Sequence, residues 1–195
     1  MLPYKLFGAT LAAAVVAFSA SYARAEEFSA RLNGFNVTGG LPGPTAAETG
    51  AILTDATGTL QLDFNQKSSM ITYTLSYTGG FSSALTQAHI HFGKIHVPGG
   101  IIAFLCTNLS NGPAGTQSCP TAPAMVTGTL TAASVVGPTA QNVTAGVFSG
   151  LVDALKSNTA YANIHTVKFP AGEIRGQIHA VENDQDHDNS QGHNH

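Results

Sequence analysis

Nothing constrains this chain more than the period of two in its apolar residues. Gly58-Thr-Leu-Gln-Leu-Asp-Phe64 sets Leu60, Leu62 and Phe64 on one face, and Met70-Ile-Thr-Tyr-Thr-Leu-Ser-Tyr77 does the same with Ile71, Tyr73, Leu75 and Tyr77. Asn65 to Ser69 reads as a turn between them, so the two runs form a β-hairpin. A strand opens at Phe28-Ser-Ala-Arg-Leu-Asn-Gly34, and Gly39-Gly-Leu-Pro-Gly-Pro44 reads as a loop. Further strands are expected at Ala88–Phe92, Ile101–Leu105, Val126–Leu130, Tyr161–Thr166 and Glu173–Val181. Many short strands between Gly/Pro turns imply an all-β sandwich or barrel. Charged residues make up only 10% of the chain, which suits strands and tight turns better than charge-studded helices. One stretch departs from the pattern. Leu151 and Leu155 stand at i, i+4 behind Ser149 as a cap, which predicts one short helix near 149–156.

The two ends differ from the middle. Lys5, an apolar run from Leu6 to Phe18 and the small-x-small Ala23-Arg24-Ala25 make residues 1–25 a signal peptide. That run is shorter than the roughly 18 to 20 apolar residues a membrane span needs, and no other segment qualifies. An exported protein, periplasmic or secreted and without a membrane span after cleavage, is the expectation. Its domain would occupy 26–182. Residues 183–195 contain no apolar side chain, so a disordered His/Asp-rich tail is expected there. Removing 1–25 takes away Lys5 and Arg24 and moves the formal charge from −3 to −5. Without a basic stripe to meet phosphates, nucleic acid is excluded as a partner; a metal ion and an extracellular or periplasmic protein are the partners left open. The two cysteines, Cys106 and Cys119, flank a turn-rich stretch, and export favours a disulfide over a two-thiolate metal site.

The chemistry lies in the histidines. On a strand, His89 and His91 share a face while Ala88, Ile90 and Phe92 take the other. Their Cα atoms should stand about 6.6 Å apart, close enough for two imidazoles to share an ion. If Tyr161–Thr166 and Gly172–Ile178 form a hairpin without a bulge, Ala162 and Ile164 match Ile174 and Ile178 on the apolar face. The other face gathers Tyr161, Asn163 and His165 with Glu173, Arg175 and Gln177. A hydrated sheet face accounts for that set, and so does a site in which His165 joins His89 and His91 as metal ligands. Asn163, Glu173 and Arg175 would then be supporting groups, with Glu173 either orienting an imidazole or pairing with Arg175. His96, in the loop after the His-x-His strand, is a fourth ligand or a plain loop residue, and His179 is expected to be structural or exposed. In the tail, His187, His193 and His195 among aspartates are candidates for weak metal capture.

The chain resembles the CHRD domain, named after the repeats of chordin, from Phe28 to Ile178. The likeness rests on Phe28-Ser-Ala-Arg-Leu-Asn-Gly34, Ala88-His-Ile-His-Phe-Gly93, Gly99-Gly-Ile101, Leu151 and Leu155 with Tyr161-Ala-Asn-Ile-His-Thr166, and Pro170-Ala-Gly-Glu-Ile-Arg-Gly-Gln177. The resemblance implies an immunoglobulin-like β-sandwich with a distant likeness to Cu/Zn superoxide dismutase. That likeness extends to the His-x-His before Gly93 and to His165. It does not extend to a histidine-rich loop between them, where this chain has Cys106 and Cys119. The first functional expectation is therefore an exported metal-binding protein with copper as its cofactor, zinc second, since imidazole suits both and intrinsic affinity favours Cu(II). A non-catalytic extracellular adhesion or interaction module, its His/Glu/Arg face structural, is the alternative. A dismutase-like redox enzyme comes third, because no other catalytic arrangement stands out.

Overall fold

The structure, a computed structural model, describes residues 25–39 and 50–182. Alternating burial has become two antiparallel sheets. The first has the strand order β6-β3-β2-β1-β9 and comprises β1 (Glu26–Leu32), β2 (Gly58–Asn65), β3 (Met70–Tyr77), β6 (Ala124–Leu130) and β9 (His179–Ala180). The second has the order β5-β4-β7-β8 and comprises β4 (Leu85–Phe92), β5 (Gly100–Thr107), β7 (Ala160–Thr166) and β8 (Ile174–Gln177). This is an all-β sandwich. The hairpin read from the sequence is β2–β3, with Leu60 opposite Leu75 and Leu62 opposite Tyr73.

Each sheet gives one face to a shared core. Leu60, Leu62, Ile71 and Leu75 of the first sheet and Ala88, Ile90, Ile102, Ala162 and Ile164 of the second are buried in the same apolar cluster. A single helix, α1 (Phe148–Lys156), adds Leu151, Ala154 and Leu155 to it. Val147, not Ser149, sits at the N-cap of α1, and no side chain caps it. Cys106 and Cys119 are joined by a disulfide. Closing a loop of 13 residues in sequence is worth about 3 kcal/mol through the unfolded chain.

One sequence expectation changes here. The run Glu173–Val181 is not one strand: it pairs with β7 up to Gln177 and then passes to the first sheet, where His179 pairs with Ser29. Ile178 at the crossing is fully buried. Where β8 leaves its sheet, Arg175 and Asn33 exchange backbone hydrogen bonds of 3.0 and 3.1 Å, which ties the two sheets along that edge. The segment read as a signal peptide lies outside the described residues except for Ala25, as do Gly40–Pro44 of the early loop and the tail 183–195. Among the described residues no helix is long and apolar enough to cross a membrane.

Candidate metal centre

The site is built on the face of the second sheet turned away from the core. β4 and β7 are antiparallel neighbours, with Gln87 opposite His165, His89 opposite Asn163 and His91 opposite Tyr161. His165 therefore sits diagonally from His89, within reach of ring-bearing side chains. The three imidazoles close into a triangle, with ring centres 5.4 Å (His89–His91), 4.8 Å (His89–His165) and 5.6 Å (His91–His165) apart. One ring nitrogen from each lies within 4.8 Å of the others. Among the described residues this is the one group of three or more His, Cys, Asp or Glu side chains so arranged.

A hydrated face was one expectation for these residues, and burial overturns it. His89 is 0% exposed, His91 7% and His165 5%, and every residue of β7 is buried. The cover comes from the loop after β4 and from the chain after β1. Arg175 donates through Nη2 to the carbonyls of Lys94 (3.1 Å) and Val97 (3.0 Å), and through Nη1 to Thr38 Oγ1. Its guanidinium lies 3.5 Å above the Tyr161 ring, and that ring stacks nearly parallel on His91 at 4.8 Å. Phe104 meets the edge of His89 at 4.3 Å.

Hydrogen bonds fix two of the tautomers. Carbonyl oxygens only accept, so His91 donates from Nδ1 to Gly99 O (2.9 Å) and His165 donates from Nδ1 to Pro170 O (2.9 Å). Both rings are then held with Nε2 as the unprotonated nitrogen; that of His91 has no partner. Between His89 Nδ1 and His165 Nε2 the distance is 3.1 Å, so in the metal-free protein His89 donates to His165. His89 Nε2 and His91 Nε2 are buried with no partner. Orphaned buried nitrogens are costly in a finished core, and an ion is one way to satisfy them.

The electrostatics keep all three rings neutral near pH 7. Burial, with the neighbouring histidines adding to it, pushes His89 down to about 2. Burial pushes His91 down to about 3, helped by His165 and Arg175 against the Gly99 hydrogen bond. His165 is pushed to about 4 by burial, partly opposed by Pro170. Neutral imidazole is the form that ligates a metal. Around one ion with bonds of about 2.0–2.1 Å, trigonal or tetrahedral nitrogens stand about 3.3–3.6 Å apart. The observed spread, from 3.1 Å to 4.8 Å, brackets that range.

The remaining candidates fall elsewhere. Glu173 neither orients an imidazole nor pairs with Arg175. It sits in the bend before β8, so strand parity does not govern it, and its carboxylate is 0% exposed on the far side. There it accepts from Thr54 Oγ1 (2.8 Å), Ser82 N (2.8 Å), Ser82 Oγ (3.0 Å) and Thr166 Oγ1 (2.7 Å). Glu173→Ala would orphan these donors and is expected to cost about 3 kcal/mol or more, read by urea unfolding, while leaving metal affinity unchanged. A comparable loss of metal affinity would return Glu173 to the site. Asn163 is buried beside the histidines, donating to Ala171 O (3.0 Å), with its Oδ1 against Gly172. Gly172 has φ +116°, and a Cβ there would stand 2.1 Å from that oxygen, so glycine is required. His96 is exposed in the loop; with His179, also exposed, it lines a separate cleft of about 380 Å³. His187, His193 and His195 lie outside the described residues. Another cleft, of about 420 Å³, is lined by neither histidine nor carboxylate.

Sequence reading missed the two carbonyls that aim the rings, Gly99 O and Pro170 O, because a backbone acceptor carries no sequence signal. A partial one existed in Gly99, where a Cβ would meet Phe92 O at 1.8 Å and drive the loop off the histidines.

The CHRD domain family matches residues 28–178, which run from within β1 to just past the end of β8 and include every residue of the triad. The chain belongs to that family. Domains of the CHRD family occur in extracellular proteins. No curated protein and no solved structure matches the chain.

Proposed function

We propose that this CHRD protein is exported to the periplasm or the cell exterior and there holds one transition-metal ion between His89, His91 and His165. Copper is the first candidate and zinc the second. The observation that carries the reading is the convergence of three neutral, deeply buried imidazoles, two with an unpartnered nitrogen and two aimed by backbone carbonyls. Such an all-imidazole set suits Cu(II) and Zn(II) and lacks the carboxylates that Mg(II) or Ca(II) would want. Bound there, the ion would supply Lewis acidity and, if copper, an electron-transfer couple. A two-metal dismutase would need a second ligand set, and the described residues offer none of three or more such side chains. Export is supported by the signal-like residues 1–25, by the disulfide and by the extracellular setting of the family. The tail histidines, His187, His193 and His195, would add weak capture.

One observation favours a second reading, an extracellular interaction module with a structural histidine network. The direct His89–His165 hydrogen bond satisfies part of the cluster without any ion. Metal analysis of tag-free protein secreted through its own signal, as the full chain and ending at Glu182, separates the two. About one copper or zinc per chain that survives loss of the tail is the expected result. Binding that disappears with the tail, or none in either form, would leave the interaction module standing.

A further inference from the structure

Three imidazoles bring no negative charge to an ion. Among the described residues no carboxylate joins them, and Glu173 spends both oxygens on Thr54, Ser82 and Thr166. The charged group that does stand beside the triad is a cation. Arg175, 3% exposed, is stacked through Tyr161 onto His91. A divalent ion here would leave a charge of +2 deep in the protein, with a guanidinium on the other side of the Tyr161 ring. Buried charge of one sign without a counter-charge is unfavourable, so this arrangement calls for an anion.

Room for one exists. A cavity of about 260 Å³ adjoins the triad, walled by His91, His165, Tyr161, Asn163, Arg175 and Thr38. It is lined by two of the three ligand histidines, including His91 with its unpartnered Nε2. Arg175 has five N–H groups, and three are committed, to Thr38 Oγ1, Lys94 O and Val97 O. Two remain without an acceptor among the described residues. A planar guanidinium suits carboxylate-like anions better than a point charge would.

Resting on the metal reading above, we propose that this cavity is an anion position: a small monoanion of the carboxylate or bicarbonate class completes the coordination of a divalent ion on His89, His91 and His165, with Arg175 as its cationic wall. The anion neutralises charge that the protein leaves uncompensated. The site thus takes its ion as a metal–anion pair, and removing the cation from the wall weakens the anion without removing a metal ligand.

The test is titration of azide, a small monoanionic probe, into the Cu(II)-loaded full chain, followed by electron paramagnetic resonance and by the azide-to-copper absorption band. Saturable one-site azide binding that acetate displaces is expected. Arg175→Gln should weaken azide by about tenfold or more while copper stays bound, and Arg175→Lys, the milder change should Gln impair folding, by less. Copper that is held by the three histidines but whose spectrum azide leaves untouched would overturn the anion position and leave the metal reading intact. Equal azide affinity in wild type and both Arg175 variants would overturn the role of the guanidinium. A chain that retains no copper at all would overturn the metal reading, and the anion position with it.

Discussion

His91→Ala is expected to lower the affinity for Cu(II) or Zn(II) by more than about a hundredfold. Changing a group that merely orients a ligand typically costs 10- to 100-fold, and this change removes a ligand outright. His91 is also the best-held ring of the three. Its Nδ1 is fixed by Gly99 O and its face by Tyr161, so Nε2 has one direction to point and little freedom to lose on binding. A competition titration against a chelator of known affinity reads the effect, with His96→Ala as the control that changes nothing, since His96 is exposed and outside the triangle. Full affinity in His91→Ala would mean that the ion binds elsewhere.

The second large effect is on the metal-free protein in mild acid. An imidazole in the unfolded chain titrates near pH 6.5, whereas in the fold His89, His91 and His165 sit at about 2, 3 and 4 because burial disfavours their charged forms. Above pH 6.5 neither state binds the protons, and the three groups add no pH dependence. Below it the unfolded chain takes up protons the native state refuses, so stability falls as the pH falls. At 1.36 kcal/mol per unit, each histidine costs up to about 2 kcal/mol by pH 5 and the three together up to about 6 kcal/mol. That is on the scale of a whole domain's stability, roughly 5–15 kcal/mol. The window lies above the ordinary carboxylate range, so the histidines dominate it. Urea unfolding of chelator-treated protein at pH 7.5, 6 and 5 should show a midpoint that drops steadily below pH 6.5. A midpoint flat across that range would mean the rings are hydrated and free to protonate.

Much of this was legible in the sequence, for reasons that are local. Leu60, Leu62 and Phe64 alternate, and so do Ile71, Tyr73, Leu75 and Tyr77, because a strand exposes its residues by turns and burial selects every second one. The same rule put His89 and His91 on one face and set Ala162 and Ile164 with Ile174 and Ile178 on the other; the pairing of Ile164 with Ile174 follows it, whereas Ala162 faces Gly176 and Ile178 lies beyond the end of β8. What parity could not supply was adjacency. His165 lies 76 residues from His89, and only the pairing of β4 with β7 brings them together. Nor could parity reveal that the polar face is covered, since the cover consists of a loop and of Thr38, tied down by the reach of Arg175. Glu173 misled for a definite reason. It carries the parity of β8 but precedes the first paired residue of that strand, so its side chain was free to turn to the hydroxyls of Thr54, Ser82 and Thr166. The break after Gln177 was invisible because Ile178 is as apolar as a continuing strand would require.

One ion is expected between His89, His91 and His165. Anomalous diffraction from crystals of copper- or zinc-loaded protein, collected at that metal's absorption edge, locates that ion. One strong peak is expected inside the histidine triangle, within about 2.0–2.1 Å of a nitrogen from each ring. A triangle without a peak, in crystals whose metal is bound elsewhere on the chain, would contradict it and reduce the histidines to a buried structural network.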